Sequence, residues 1–199
     1  MRAFPKETSV PRIPYITDAQ AQASTSPDVI AAIKQRRGGR LANLDRVLLH
    51  SPPVAEGWGP LLGRIRANLE LPPLLKELAM CAVAMLNGAE YEFHHHGPLY
   101  LQAGATQAQL QALRQLRDAP HALDDSPLFD ELQRKALKLV VQSTKQVHVD
   151  ADVFEAARAA LGSDRLVFEL VTVTAAYNMV SRILVACDVQ PEGEGHHPA

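Results

Sequence analysis

Glu77, Glu92 and His96 stand at helical spacing inside apolar sequence, and carboxylates paired with an imidazole in a dry setting are acid/base machinery. Reading every third or fourth residue gives Met85, Ala89, Glu92, His96, Leu99 and Ala103, one face of a helix with a period of about 3.6 residues. Glu92 and His96 therefore occupy positions where a helix buries its contact stripe, and as i,i+4 neighbours they can meet across one turn. The stripe through Leu74, Glu77, Cys81, Ala84 and Gly88 is small and uncharged apart from its one carboxylate. Burying an unpaired carboxylate costs several kcal/mol, so such positions are paired, protonated or functional. Three titratable groups in a dry site shift one another: desolvation raises the carboxyls, and a nearby carboxylate favours imidazolium.

Two further readings of the same residues stand beside this one. Glu92 and His96 can be a buried hydrogen-bonded pair that holds two helices in register. Glu77, Glu92 and His96 also resemble a mononuclear ligand set with an excess of carboxylate; our assignment carries no metal and no cofactor. His94 lies about 200° around the helix from His96, so the His triplet cannot turn three ligands to one side. Glu90 and His94 form a second i,i+4 pair on the opposite side, structural or interfacial in role. Glu92 and His95 have the ExxH spacing of di-iron bundles, which need two such motifs and two further Glu residues. Secondary candidates are Tyr91, as a proton relay or a packed aromatic; His50 and Trp58, which flank a Pro-containing turn, as residues of a pocket mouth; and Arg182, one turn from Asn178, as a carboxylate receptor or a structural ion-pair partner.

The elements that must position these residues read as helices throughout, because no segment sustains period-two alternation. Residues 1–27 hold Pro5, Pro11, Pro14 and Pro27 and predict an extended arm that wraps a surface or a neighbouring subunit. Ser26 and Pro27 open a helix that Gly38 and Gly39 stop; a second runs from Leu41 to about His50. The next, 54–69, places Trp58, Leu61, Leu62, Ile65 and Leu69 on its apolar side. Pro72 and Pro73 start the Glu77 helix, and Asn87 and Gly88 either end it or mark an irregularity in one continuous helix. Further helices are expected over 106–117 with Thr106 as cap, over 128–146, from Asp150 to Gly162, and over 164–188, the last apolar almost all round and therefore central or interfacial. We expect a single helical domain over 28–189 and a disordered tail over 190–199.

A chain of 199 residues with 47% hydrophobic content is long enough for one real core. A formal charge of -2 gives no electrostatic reason to expect nucleic acid or an anionic membrane as partner, and no uninterrupted apolar run reaches about 18 residues. Lys34, Arg36, Arg37 and Arg40 read as a solvated helix end rather than a phosphate site. Cys81 and Cys187 lie far apart in apolar patterns and lack CxxC spacing, which suits buried thiols in a reducing, cytoplasmic setting.

Glu77, a His nineteen positions later at His96 and a Gly eight positions after that at Gly104 resemble the carboxymuconolactone decarboxylase and alkyl hydroperoxidase D superfamily. In the hydroperoxidase branch, cysteines would stand where this chain has Ala89 and Glu92; Glu90 and Glu92 before the His are similar to the decarboxylase branch. The resemblance implies an all-α compact bundle that assembles as a homo-oligomer, a trimer or hexamer, and a cofactor-free lyase or isomerase acting on a small carboxylated lactone or ring acid. On that reading His96 donates the proton, Glu92 orients and charges it, and Glu77 is a relay partner. The rival functions are a hydroperoxidase-like antioxidant enzyme and a helical assembly module without chemistry.

Overall fold

Pro72 and Pro73 place a preset backbone turn before a run of strong helix formers, and the helix they open, Pro73–Asn87, carries Glu77 through the middle of the protein's core. The computed structural model describes residues 11–193. It contains ten α-helices: α1 Asp18–Ser24, α2 Pro27–Arg36, α3 Asn43–Leu48, α4 Pro52–Ala67, α5 Pro73–Asn87, α6 Glu90–Gln102, α7 Gln107–Leu113, α8 Glu131–Gln146, α9 Ala151–Leu161 and α10 Asp164–Cys187, with a 3-10 turn at Arg114–Arg117. No strand occurs among the described residues, so the all-α reading holds. The chain divides into two contact units, residues 61–185 and residues 1–60 with 186–199.

In the larger unit every residue of α5 from Leu75 to Leu86 is buried, so this helix is core on all sides. It packs along α6 and α8, with the 3-10 turn against it, and α9 packs on α8. The open question at Asn87 and Gly88 resolves as two helices. Gly88 takes φ 70, ψ 27, in the left-handed region. Its N–H bonds the carbonyl of Met85 at 3.1 Å, and that of Ala89 bonds the carbonyl of Ala84 at 2.8 Å, the paired closure of a Schellman cap. The chain then reverses into α6, which brings the start of α6 back along α5. Gly97 lets a neighbour approach: a Cβ there would sit 3.4 Å from the Leu110 side chain of α7. Glu169 on α10 accepts the Leu71 N–H at 2.7 Å, tying α10 to the approach to α5.

Caps explain where other boundaries shift from expectation. α8 starts at Glu131 rather than Leu128 because Asp130 and Gln133 exchange side-chain and backbone hydrogen bonds of 2.8 and 3.1 Å. Asp150 precedes α9 but spends its side chain on Gln142, at 2.8 Å. Leu61 is 54% exposed, off the stripe of Trp58, Leu62 and Ile65, which are buried. α10 has the length and a mean hydropathy of 1.5 that would suit a membrane span, yet 44% of that window is buried in the protein, with Leu170, Val173, Tyr177 and Leu184 inward.

In the smaller unit the expected extended arm is interrupted by α1. Thr17 accepts the Gln20 N–H while the Gln20 side chain accepts the Thr17 N–H, a capping box that outweighs the nearby prolines. Pro5 and the tail 194–199 lie outside the described residues. The expected disorder does not extend to residues 190–192: the Glu192 carboxylate accepts the Asn43 N–H at 2.7 Å, and Asn43 donates to the Gln190 carbonyl at 2.9 Å. The basic cluster is partly paired, Lys34 with Asp18 at 2.7 Å and Arg37 with the buried Asp45 at 3.1 Å.

Because Gly88 alone supplies the left-handed turn between α5 and α6, Gly88→Ala is expected to lower stability by about 1–2 kcal/mol, and Gly88→Asn by less, since Asn tolerates this conformation. Urea denaturation monitored by circular dichroism measures both, and equal midpoints for Gly88→Ala and wild type would contradict the assignment.

Candidate functional site

The α5–α6 reversal sets Glu77 opposite His96. The His96 Nδ1 lies 2.7 Å from Glu77 Oε2, and both residues are 8% exposed. This is a charge-assisted geometry, which fixes the imidazole plane and turns Nε2 away from the carboxylate. Nε2 has no hydrogen-bond partner among the described residues. With Nδ1–H donating to Glu77, Nε2 accepts a proton in the neutral ring and delivers one in the imidazolium.

Glu92 does not pair with His96 as the i,i+4 spacing suggested. Its carboxyl turns toward α10, where the Ser181 hydroxyl lies 3.1 Å from each of its oxygens. Glu92 is 2% exposed. Burial pushes its pKa well above the ordinary carboxylate range, and the Ser181 hydrogen bond only partly opposes this. The physical reason for the exchange of partners is geometric: a carboxylate from an antiparallel neighbour meets the ring head-on, whereas a residue one turn away on the same helix projects alongside it. Glu77 is thus the residue that orients His96, the role expected of Glu92.

Two residues the sequence reading passed over complete the site, and both come from α10. The Tyr177 ring stands edge to face against His96, with centroids 4.9 Å apart. Ser181, one turn further, holds Glu92. The signal that could have found them is the one that singled out Glu92 and His96: polar residues at i,i+4 on the buried stripe of an apolar helix. Cys81, buried on α5, has its thiol pKa raised chiefly by burial, which makes it an inert thiol.

The secondary candidates fall elsewhere. Tyr91 is buried and packs on the His95 ring at 4.4 Å. Arg182 Nη1 donates to Asn178 Oδ1 at 3.3 Å, and Asn178 in turn bonds Asn87 and Thr144, both at 3.0 Å, so Arg182 ends an amide network that ties α10 to α5 and α8. His50 and Trp58 belong to the smaller unit: His50 Nε2 lies 2.7 Å from the Pro14 carbonyl, and Trp58 is buried. Glu90 pairs with Arg117 at 3.0 Å rather than with His94. Among the described residues no group of three His, Cys, Asp or Glu is gathered closely enough to hold a metal ion.

The helical architecture and the buried carboxylate–imidazole pair define an alkylhydroperoxidase D-like fold. A peroxidase-related protein from Silicibacter sp. TM1040 shares it at TM-score 0.74 and 19% identity, over 96% of this chain and 98% of that one. An alkylhydroperoxidase AhpD core protein from Ralstonia eutropha JMP134, also peroxidase-related, matches at TM-score 0.74 and 18% identity, covering 94% and 95%. The debrominase Bmp8, solved in complex with 2,3,4-tribromopyrrole, matches at TM-score 0.69 and 20% identity over 94% of each chain. Residues 52–125, which include Glu77, Glu92, His96 and Gly104, match the model of the carboxymuconolactone decarboxylase family. Among curated proteins none matches.

The Glu92 environment sets a pH dependence. The folded protein keeps the Glu92 proton in a range where the unfolded chain releases it, so the unfolded state binds fewer protons and stability falls as pH rises through that range. Glu92→Gln removes this titration while keeping the side chain's shape. Its melting temperature relative to wild type is therefore expected to climb between about pH 5 and about pH 8. Scanning calorimetry of the two proteins across that range checks it; parallel profiles would show Glu92 to be ionised in the folded state.

Proposed function

We propose that this protein is a cofactor-free acid/base enzyme of the decarboxylase kind, acting on a small carboxylated lactone or ring acid, with His96 as the proton-transfer residue. The observation that carries this reading is the buried Glu77–His96 bond of 2.7 Å, with Nε2 left unpartnered among the described residues. In such a reaction the bond between the ring carbon and the departing carboxylate breaks, and carbon dioxide leaves. The electron pair moves through the conjugated system onto the lactone carbonyl oxygen as an enolate. A remote carbon then takes a proton from the His96 imidazolium, and solvent restores it. Glu77 accepts the Nδ1–H and so orients the ring with Nε2 free to pass the proton.

Glu92 has a different part from the one its position suggested. Burial favours its neutral form, which lessens the negative charge in a site that receives an anion. Thiol-based peroxide reduction is poorly supported, since Ala89 and Glu92 stand where the hydroperoxidase cysteines would be and the burial of Cys81 disfavours its thiolate.

Ultraviolet-monitored consumption of carboxymuconolactone by metal-stripped protein tests the reading, with His96→Gln alongside. That variant keeps an N–H donor for Glu77, so its melting temperature should stay within a few degrees of wild type. Its turnover should fall by at least about 100-fold, the scale of a lost general acid. Wild-type inactivity on this substrate and on a panel of related ring acids, or His96→Gln turnover equal to wild type, would refute it.

A further inference from the structure

α10 is apolar on more than one side: Leu170, Val173, Val180 and Leu184 are buried, while Phe168, Met179 and Val185 stand exposed. Burial of apolar surface is non-directional, so a helix of this kind can turn about its axis and still cover much the same area. Polar contacts fix the rotation, because a hydrogen bond weakens steeply outside a narrow range of distance and angle. A shift of one residue would swing every side chain of α10 by about 100° and carry it about 1.5 Å along the axis. That would take the Tyr177 ring off His96 and the Ser181 hydroxyl off Glu92.

Asn178, next to Tyr177 in the chain, is 5% exposed, and its side-chain amide makes the four hydrogen bonds of which such a group is capable. Its Oδ1 accepts from Asn87 Nδ2 at 3.0 Å and from Arg182 Nη1 at 3.3 Å. Its Nδ2 donates to the Thr144 hydroxyl and to the Thr174 carbonyl, each at 3.0 Å. Two of these bonds stay within α10, and two leave it. Asn87 is the last residue of α5, beside the Gly88 reversal into α6, and Thr144 is buried near the end of α8. The bond from Glu169 to Leu71 also anchors α10 in this unit, but it lies more than two turns from Tyr177. Rotating α10 would leave the Asn178 amide and its partners unpaired in the interior, a cost that apolar contacts do not impose. A single buried asparagine fixes register between apolar helices of coiled coils by the same means.

We infer that Asn178 is a positioning residue for the reaction at His96: its amide locks the rotation of α10 that sets Tyr177 against the imidazole and Ser181 on Glu92. The inference rests on the acid/base function proposed above and names what aims its proton donor. The Glu77 bond fixes Nδ1 but leaves the ring free to tilt about that bond. Contact with Tyr177, from a different helix, removes this freedom and gives Nε2 one direction. Ser181 keeps the Glu92 carboxyl turned to α10. Asn178 acts through these two neighbours, and a displacement of the donor by about 1 Å costs on the order of 100-fold in rate.

The test compares four variants of the full chain. Asn178→Leu removes all the amide's bonds, and Thr144→Val removes one. Asn178→Asp keeps the acceptor for Asn87 and Arg182, and the Thr144 hydroxyl can rotate to donate to it. Leu170→Ala, at a fully buried residue earlier on α10, lowers stability without touching the amide. The His96 ring signals in proton–carbon NMR, identified by their loss in His96→Gln, report the Tyr177 ring current, and Tyr177→Leu gives their position without it. Asn178→Leu is expected to move them toward that position and Thr144→Val part of the way, while Asn178→Asp and Leu170→Ala leave them as in wild type. On a ring acid that wild type consumes, kcat should fall about 10- to 100-fold in Asn178→Leu with KM within about threefold, and Asn178→Asp should stay within about threefold of wild type in both. The role is overturned if the signals stay put in Asn178→Leu, or in Thr144→Val where Asn178→Leu does not fold, or if Leu170→Ala moves them as far at an equal loss of melting temperature. Signals that move as expected in a protein that consumes no ring acid would sink the acid/base reading and leave the control of the His96 ring standing; turnover with unmoved signals would do the reverse.

Discussion

An ionised carboxylate cannot be left alone in a helix that is buried on every side, and the bond from His96 to Glu77 is what allows α5 to carry one. Desolvating either group costs several kcal/mol, and removing one partner of such a pair leaves the other buried and uncompensated. The pair is thus a constraint on the larger unit as well as a reactive centre. It requires α6 to return along α5 at a fixed register, which Gly88 makes possible, and it requires α5 to begin where Glu169 holds Leu71.

The same economy governs Glu92. Two acids and one imidazole in a dry space are costly to charge together without a second cation, and burial favours the neutral form of Glu92. Ser181 serves both oxygens of Glu92, too weakly to offset burial. The outcome is a division of labour between two glutamates of identical chemistry: one bonded to the ring, the other held by Ser181 of α10 with its neutral form favoured.

Much of the helical frame was legible in the sequence, because helix signals are local. Pro73 at a first turn, Thr106 and Asp130 as caps, and Gly88 and Gly162 as left-handed stops each act within a few residues. The departures arose where one local signal competed with another, as when the capping box of Thr17 and Gln20 formed α1 in a proline-bearing stretch. The candidate site was legible in part: Glu77, Glu92 and His96 are all buried in one unit, while His50 and Trp58 found their partners and burial in the other. Tyr177 and Ser181 were overlooked because they sit on α10, remote in sequence from Glu77 and His96, and their i,i+4 spacing on an apolar stripe does not say which helix they face.

The sequence by itself determined that the chain is all-helical and that two glutamates and a histidine lie on buried stripes. Only the tertiary structure decided which glutamate holds the histidine, which one turns to Ser181, and which aromatic ring stands against the imidazole. Periodicity reports the face on which a side chain lies, a property of one helix. Partnership depends on which helices face each other and at what register, and that is set by packing across the whole unit.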